Sequence, residues 1–245
     1  MQAIIIGCGG IGSHLAGPLA RYLESLGPGH KLTLVDGDNF EDRNKTRQVF
    51  DRPGNKAQSV AAKLAESHPG LTVDAVPEFI KPDNAEFILD EGVYVMLCVD
   101  NHPTRKLVSE AAASYQDIAV ISGGNELEDG MVQIYVRKGG VDATPPLTHD
   151  HPEIADPKGK APYEMSCEEL AKAGTPQIIF ANLTAAVLMA NAFWRLSTDP
   201  EGFLTKTIGK GEFALETAYT EVAFNIGLNK VRPRRTAVTT GGDAA

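Results

Sequence analysis

Hydrophobic positions along the chain fall into short continuous runs, separated by longer segments in which apolar residues recur every three to four positions. The runs at residues 3–6, 31–35, 72–76, 93–99 and 118–122 read as buried strands, and the segments 11–26, 56–67, 84–90 and 103–115 as amphipathic helices. This alternation predicts an α/β fold, a doubly wound and mostly parallel sheet with helices on both faces. After residue 122 the texture changes. The stretch "DGMVQIYVRKGG" suggests an antiparallel strand, and residues 139–162, rich in Pro, Asp, His and Gly, read as a long loop. Residues 175–196, "TPQIIFANLTAAVLMANAFWRL", resume as a strongly apolar helix whose breadth of hydrophobic positions suggests burial against the sheet or another subunit. "GEFALETAYTEVAFNIG" offers late strands. The expected organisation is a first unit over 1–136, a mobile crossover loop over 137–174, a C-terminal helix and strands over 175–235 that complete the same domain with an antiparallel extension, and a disordered tail over 236–245.

Composition narrows the class. A chain of 245 residues with 42% hydrophobic content buries a full core. Its net charge of -9 argues against a general nucleic-acid or anionic-membrane binder, because such surfaces need an excess of Lys and Arg. The run "KVRPRR" is a local exception that reads as a solvated tail. No segment reads as long and apolar enough to span a bilayer, and the first strand begins without a charged leader, so a cytoplasmic protein is expected. Cys8, Cys98 and Cys167 include no C-x-x-C pair and form neither a disulfide framework nor a zinc ribbon; no zinc is expected.

Against that background, "AIIIGCGGIGSHLA" places Gly7, Gly9 and Gly12 at the spacing G-x-G-x-x-G between a strand and a helix, where a glycine-rich turn brings backbone N–H groups to a phosphate. A plain tight turn gives the same spacing, and the fingerprint does not name the nucleotide. Asp36, ending the second strand, sits where a dinucleotide fold places an acid on a ribose hydroxyl, which leaves a dehydrogenase open at this point. The next segment shifts the balance. "DGDNFEDRNKTRQVF" gathers Asp36, Asp38, Asn44, Arg47 and Gln48, and "GNKAQSVAAKL" puts Lys56 at a helix start. Hydride transfer has no use for that set, whereas a triphosphate calls for guanidinium and ammonium donors and a carboxylate-held magnesium ion. Asp100, just past the strand of "VMLCVDNHPTRKLV", is placed at the carboxyl edge of the sheet to hold that metal.

Taken in order, Gly7, Gly9, Gly10 and Gly12, Asp36 and Asp38, Asn44, Arg47 and Gln48, Lys56, and Asp100, Asn101, Thr104 and Arg105 resemble the motifs of the ThiF/MoeB and ubiquitin-activating enzyme superfamily, through about residue 136. The resemblance implies that residues 1–136 form a Rossmann-like ATP-binding adenylation domain. It implies an adenylyltransferase that uses ATP and Mg2+ to activate the C-terminal carboxylate of a small ubiquitin-like or sulfur-carrier protein, and that works as a homodimer. In that reading Asp36 holds the ribose, Asn44, Arg47 and Lys56 neutralise phosphate oxygens, and Asp100 positions magnesium. Arg105 reads as a structural partner for a strand-end carboxylate. Two features depart from the family: the zinc-binding C-x-x-C pairs are missing, and the first strand starts almost at Met1 where many members have a helix that supplies an arginine to the partner's ATP. Arg43 or Arg52 is the candidate replacement.

Cys167, in "EMSCEELAKAGTPQ", lies where several members keep a thioester-forming or sulfur-handling cysteine. A thiolate is a capable acyl acceptor, although Glu168 and Glu169 disfavour ionisation. Cys8 reads as a filler of the glycine loop and Cys98 as a buried strand residue. His149 and His151 in "THDHPE" have metal-like spacing but read as solvated. The alternatives to adenylation of a carrier are adenylation of a tRNA base, a non-catalytic nucleotide-binding scaffold, and an NAD-dependent oxidoreductase.

Overall fold

The computed structural model describes residues 1–45, 48, 54–127, 129–165, 169, 178–205 and 221–225. Five strands run parallel to their neighbours: β1 (Gln2–Ile6), β2 (Lys31–Val35), β5 (Thr72–Val76), β6 (Tyr94–Leu97) and β7 (Ile118–Asn125). Two short strands, β3 (Asn39–Phe40) and β4 (Gly54–Asn55), pair separately as an antiparallel ribbon. Beyond β7 the sheet turns antiparallel, with β8 (Asp129–Lys138) on β7, and β10 (Glu221–Asn225) and β9 (Val141–Asp142) on β8. The main sheet has the order β10-β8-β7-β6-β1-β2-β5. β1, β2, β5, β6 and β7 lie within three residues of the expected strand ends, and β10 realises one of the late strands. The β3–β4 ribbon was not foreseen.

Alternation along each strand divides the core into two layers. Ile5, Leu32, Leu34, Met96 and Ile121 face α1 (Gly10–Ser25), α2 (Lys56–Ser67) and α6 (Ile179–Thr198), where Leu15, Leu19, Leu64, Met189 and Phe193 complete one cluster. Ile4, Ile6, Val95, Leu97 and Val120 face the other way and pack with α3 (Ala85–Ile88), α4 (His102–Ala112) and α5 (Pro152–Ala155). The helices on both faces confirm the doubly wound α/β architecture. A short α7 (Pro200–Thr205) follows α6.

α6 corrects one expectation. By length and composition it is long and apolar enough to cross a membrane. Its inner face is spent instead on the first core cluster, through Ala185, Met189, Phe193 and Leu196. Within the expected crossover, the described residues hold β9, α5 and a 3₁₀ turn at Pro162–Glu164, with Leu147, Ile154 and Ala161 buried beneath them. The tail 236–245 lies outside the described residues.

Candidate nucleotide-binding site

The glycine loop joins β1 to α1 at the carboxyl edge of the sheet, and steric space dictates its composition. Gly7 has φ +92°, and a Cβ there would lie 2.8 Å from the Cys98 carbonyl oxygen. A Cβ on Gly12 would overlap the Gly7 carbonyl oxygen, so the first turn of α1 closes directly onto the loop. Gly10 is pressed by α6, since a Cβ there would lie 2.5 Å from Asn182 Nδ2. Gly9 differs. The nearest atom to a Cβ on it is Gln48 Nε2 at 3.7 Å, which leaves open space above the loop. No side chain caps the first turn of α1, so its N–H groups stay available to an anion.

The carboxyl end of β2 braces this loop. Asp36 is buried; its Oδ2 accepts the Cys8 N–H at 2.7 Å and its Oδ1 accepts the Asp38 N–H at 2.8 Å. Burial raises the Asp36 pKa from the ordinary carboxylate value, while Lys56 and the two N–H donors oppose that rise. Lys56, the first residue of α2, is buried with its Nζ donating to Asp38 Oδ2, and its backbone N–H reaches the Asp38 carbonyl at 2.9 Å. Asn55 fixes the register between these parts. It caps α2 by accepting the Gln58 N–H, and its Nδ2 donates to the carbonyls of Asp36 at 2.7 Å and Asp38 at 3.2 Å. Sequence reasoning passed over Asn55, although an Asn directly before a helical pattern is a cap signal.

The other expected residues separate into three groups. Gln48 is buried near Gly9 and, among the described residues, its Oε1 has no partner, an acceptor that a nucleotide donor group would satisfy. Asn44 is buried with its Oδ1 accepting the Glu41 N–H at 3.1 Å, so that oxygen closes a 3₁₀ turn (Asp42–Asn44) instead of facing solvent. Asp100 is exposed beyond the end of β6. Arg47, Arg52 and Cys167, and the Arg43 side chain, lie outside the described residues. The structure therefore brings together Gly7, Gly9, Gly10, Gly12, Asp36, Asp38, Gln48 and Lys56, with Asp100 just past the end of β6, the strand beside β1.

Arg105 departs from its expected partner. Its Nη2 donates to two carbonyl oxygens, Val99 at 2.9 Å and Gly123 at 3.1 Å, and so ties β6 to β7. Burial lowers its pKa, and the Asp100 charge opposes that shift. Cys8 and Cys98 are both buried and carry thiols pushed well up, chiefly by desolvation. His149 is exposed, but His151 is held between Glu153 at 2.8 Å and Glu221 at 2.6 Å. Among the described residues no group of three His, Cys, Asp or Glu could hold a metal ion.

A family model described as the ThiF family matches residues 1–203. The chain belongs to the ThiF family. Among curated relatives of this ThiF-family chain, "Adenylyltransferase and sulfurtransferase MOCS3" of Drosophila sechellia is 36% identical over 138 residues, covering 55% of the chain and 29% of that protein. "Adenylyltransferase and sulfurtransferase uba4" of Aspergillus fumigatus is 36% identical over 115 residues, covering 45% of the chain and 22% of that protein. The chain thus spans under a third of the length of these relatives. Among solved structures, selenomethionine PaaA superposes with a TM-score of 0.62 at 18% identity, covering 94% of the chain and 62% of that structure. MccB of E. coli with ATP superposes at 0.60 with 20% identity, covering 94% and 64%. At these identities the superpositions establish the shared fold.

Proposed function

We propose that this protein is an adenylyltransferase that activates the C-terminal carboxylate of a small ubiquitin-like or sulfur-carrier protein. Family membership and the names of the MOCS3 and uba4 relatives support the reaction class. The observation that carries the reading is the Lys56–Asp38 pair beside the open space over Gly9. A buried ammonium held by its own carboxylate is a preorganised cation for phosphate oxygens, and a dinucleotide oxidoreductase has no task for it. The residues fit ATP as substrate: an uncapped helix N-terminus, room above Gly9, and an unpartnered acceptor on Gln48.

In the reaction a carboxylate oxygen of the carrier bonds to the α-phosphorus of ATP, the bond from that phosphorus to the bridging oxygen of the β-phosphate breaks, and pyrophosphate departs without proton transfer. Asp36 keeps the glycine loop in shape through the Cys8 N–H and offers its remaining lone pairs to ribose hydroxyls. The N–H groups of α1 and the Lys56 ammonium, joined by Arg47, balance the charge gathering on the phosphates. Magnesium would supply further charge neutralisation, held by Asp100; one exposed carboxylate suits an ion whose other ligands are phosphate oxygens and water. The raised thiol pKa values of buried Cys8 and Cys98 make them poor acyl acceptors, which leaves Cys167 for a thioester step. The protein works in the cytoplasm, where ATP is made available, and as a homodimer.

Carrier-dependent exchange of pyrophosphate into ATP tests the reading. Lys56→Ala should lower exchange by about 100-fold or more, and Asp100→Ala should abolish the magnesium-dependent part without altering thermal stability, since Asp100 is exposed. Calorimetric binding of NAD with no binding of ATP overturns the proposal, as does full exchange activity in Lys56→Ala.

A further inference from the structure

Residues 145–151 fold over β8 and β10 and leave a cleft of about 250 Å³, open to solvent, whose walls include Gln133, Pro146, Leu147, Asp150, His151 and Glu221. A pocket for a small-molecule ligand takes roughly 300–1,000 Å³, so this one suits a single side chain. Its loop wall is short of free donors. Pro145 and Pro146 carry no N–H, the Leu147 N–H donates to Ser109 Oγ at 3.2 Å, and the His149 N–H donates to the Pro146 carbonyl at 3.0 Å. Both ring nitrogens of His151 are spent as well, on Glu153 Oε1 at 2.8 Å and Glu221 Oε2 at 2.6 Å. Acceptors are left over. Gln133 is 5% exposed, and its Oε1 has no partner among the described residues. Glu221 gives one oxygen to His151 and keeps the other, and the Asp150 carboxylate meets only His149, at 3.9 Å.

Charge points the same way. Asp150 and Glu221 line the cleft with the protonated His151 ring, Glu153 stands on the far side of that ring, and the buried Arg105 guanidinium is turned to the Val99 and Gly123 carbonyls. The balance is negative. An ammonium or guanidinium group answers both features, because it carries positive charge and only donors. Strand register relates the cleft to the nucleotide loop: Glu221 lies opposite Gln133, Gln133 opposite Ser122, Ser122 beside Leu97, and Leu97 beside Ile6. One transverse row of the sheet thus runs from the cleft to the residue before Gly7. Four strand spacings make that row about 19 Å long, which an extended chain covers in roughly six residues. A chain whose terminal carboxylate lies over the glycine loop can therefore set an upstream side chain in the cleft.

We propose that this cleft binds a lysine or arginine side chain of the protein that is adenylated, about six residues ahead of its terminal carboxylate. The source of the side chain rests on the proposed function; the preference of the cleft for an organic cation does not. Ethylguanidinium chloride added to the full chain, against sodium chloride at equal ionic strength, tests the cleft alone through the ring resonances of His151. Saturable shifts are expected with ethylguanidinium only. Asp150→Asn should weaken binding about 10-fold. Gln133→Leu should weaken it too while raising the melting temperature, because it removes a buried acceptor that has no partner. No saturable shift, unchanged affinity in both variants, or the same saturation by calcium chloride overturns the cation site. Pyrophosphate exchange then tests the source, with unstructured peptides that carry one arginine at successive distances from a free C-terminal carboxylate. KM should be lowest, with kcat little changed, when the arginine stands about six residues from that carboxylate. A KM that ignores its position overturns the substrate as the source. Exchange with no peptide while ethylguanidinium still binds counts against the adenylation reading and leaves the cation site standing.

Discussion

At the ends of β1 and β2 the buried polar groups hold one another, with Gln48 Oε1 left over among those described beside the glycine loop. Asp36 takes two backbone N–H groups, Asn55 returns two hydrogen bonds to the same turn, and Lys56 closes on Asp38. Across β7 and β8 the same kinds of groups are left over. Ser122 Oγ and Gln133 Oε1, opposite one another in register, are buried with no partner among the described residues, and so are Arg105 Nε and His102 Nδ1 on the neighbouring α4. Each such atom costs about 1–3 kcal/mol unless water reaches it, a cost the second core cluster offsets with Val120, Tyr135, Leu147 and Ile154. The nucleotide end is thus preorganised by polar bonding. The antiparallel end is held by apolar packing around a few charged clamps.

Four substitutions probe that difference, from the largest effect to the smallest. Gly12→Ala at the nucleotide end should eliminate measurable ATP binding by calorimetry, because its methyl group would occupy the place of the Gly7 carbonyl oxygen and force the loop open; retained affinity would mean the loop is softer than its contacts indicate. Arg105→Met at the other end should lower unfolding free energy in urea by about 2–3 kcal/mol, the worth of its charged hydrogen bonds to Val99 and Gly123 after relief of its own burial. A change under about 0.5 kcal/mol would remove it as a clamp.

The third is a pH effect. Burial lowers the His151 pKa, but the hydrogen bonds its ring donates to the Glu153 and Glu221 carboxylates outweigh it and leave the pKa raised. A raised folded-state pKa means that the protonated ring stabilises the fold. The contribution is complete below the unfolded pKa of about 6.5 and is lost as pH rises through the higher folded value. The melting-temperature gap between wild type and His151→Gln should therefore be widest below about pH 6.5 and shrink as pH rises above it; a gap that grows with pH contradicts the ion-pair account. The smallest effect belongs to Gly17→Ala in α1, where no atom obstructs the methyl group. It should stabilise the monomer fold by up to about 1 kcal/mol, and any loss would show that the helix face is more crowded than its surroundings indicate.

Much of the nucleotide end was legible from sequence, because its signals are short-range. The glycine spacing follows from steric exclusion inside a single strand–turn–helix unit, and Lys56 stands at the start of a strongly periodic segment. Residue type alone did not foresee that Asn44 gives one oxygen to a 3₁₀ turn. At Arg105 the structural role was readable and the partner was not. Its acceptors lie on Val99 and Gly123, and their proximity depends on β6 lying beside β7, which strand order decides and local pattern does not. His151 shows the same limit more strongly, since one of its two carboxylates arrives on β10 from residue 221. The breadth of α6 signalled burial on the sheet or on another subunit, and its inner face takes the first.

The place of β10 also governs how the protein is made. Strands β1, β2, β5, β6 and β7 leave the ribosome in an order that lets each find a neighbour already present, and β8 folds back at once on β7. The stretch Asp129–Gln133 must then wait, its outer N–H and carbonyl groups unpaired, until Glu221–Asn225 has been synthesised. During that interval every nascent chain displays the same open strand, and polysomes bring many such chains close together. Translation speed through the segment encoding α6 and α7 therefore sets how long that edge is offered to a neighbouring nascent chain before its own last strand seals it.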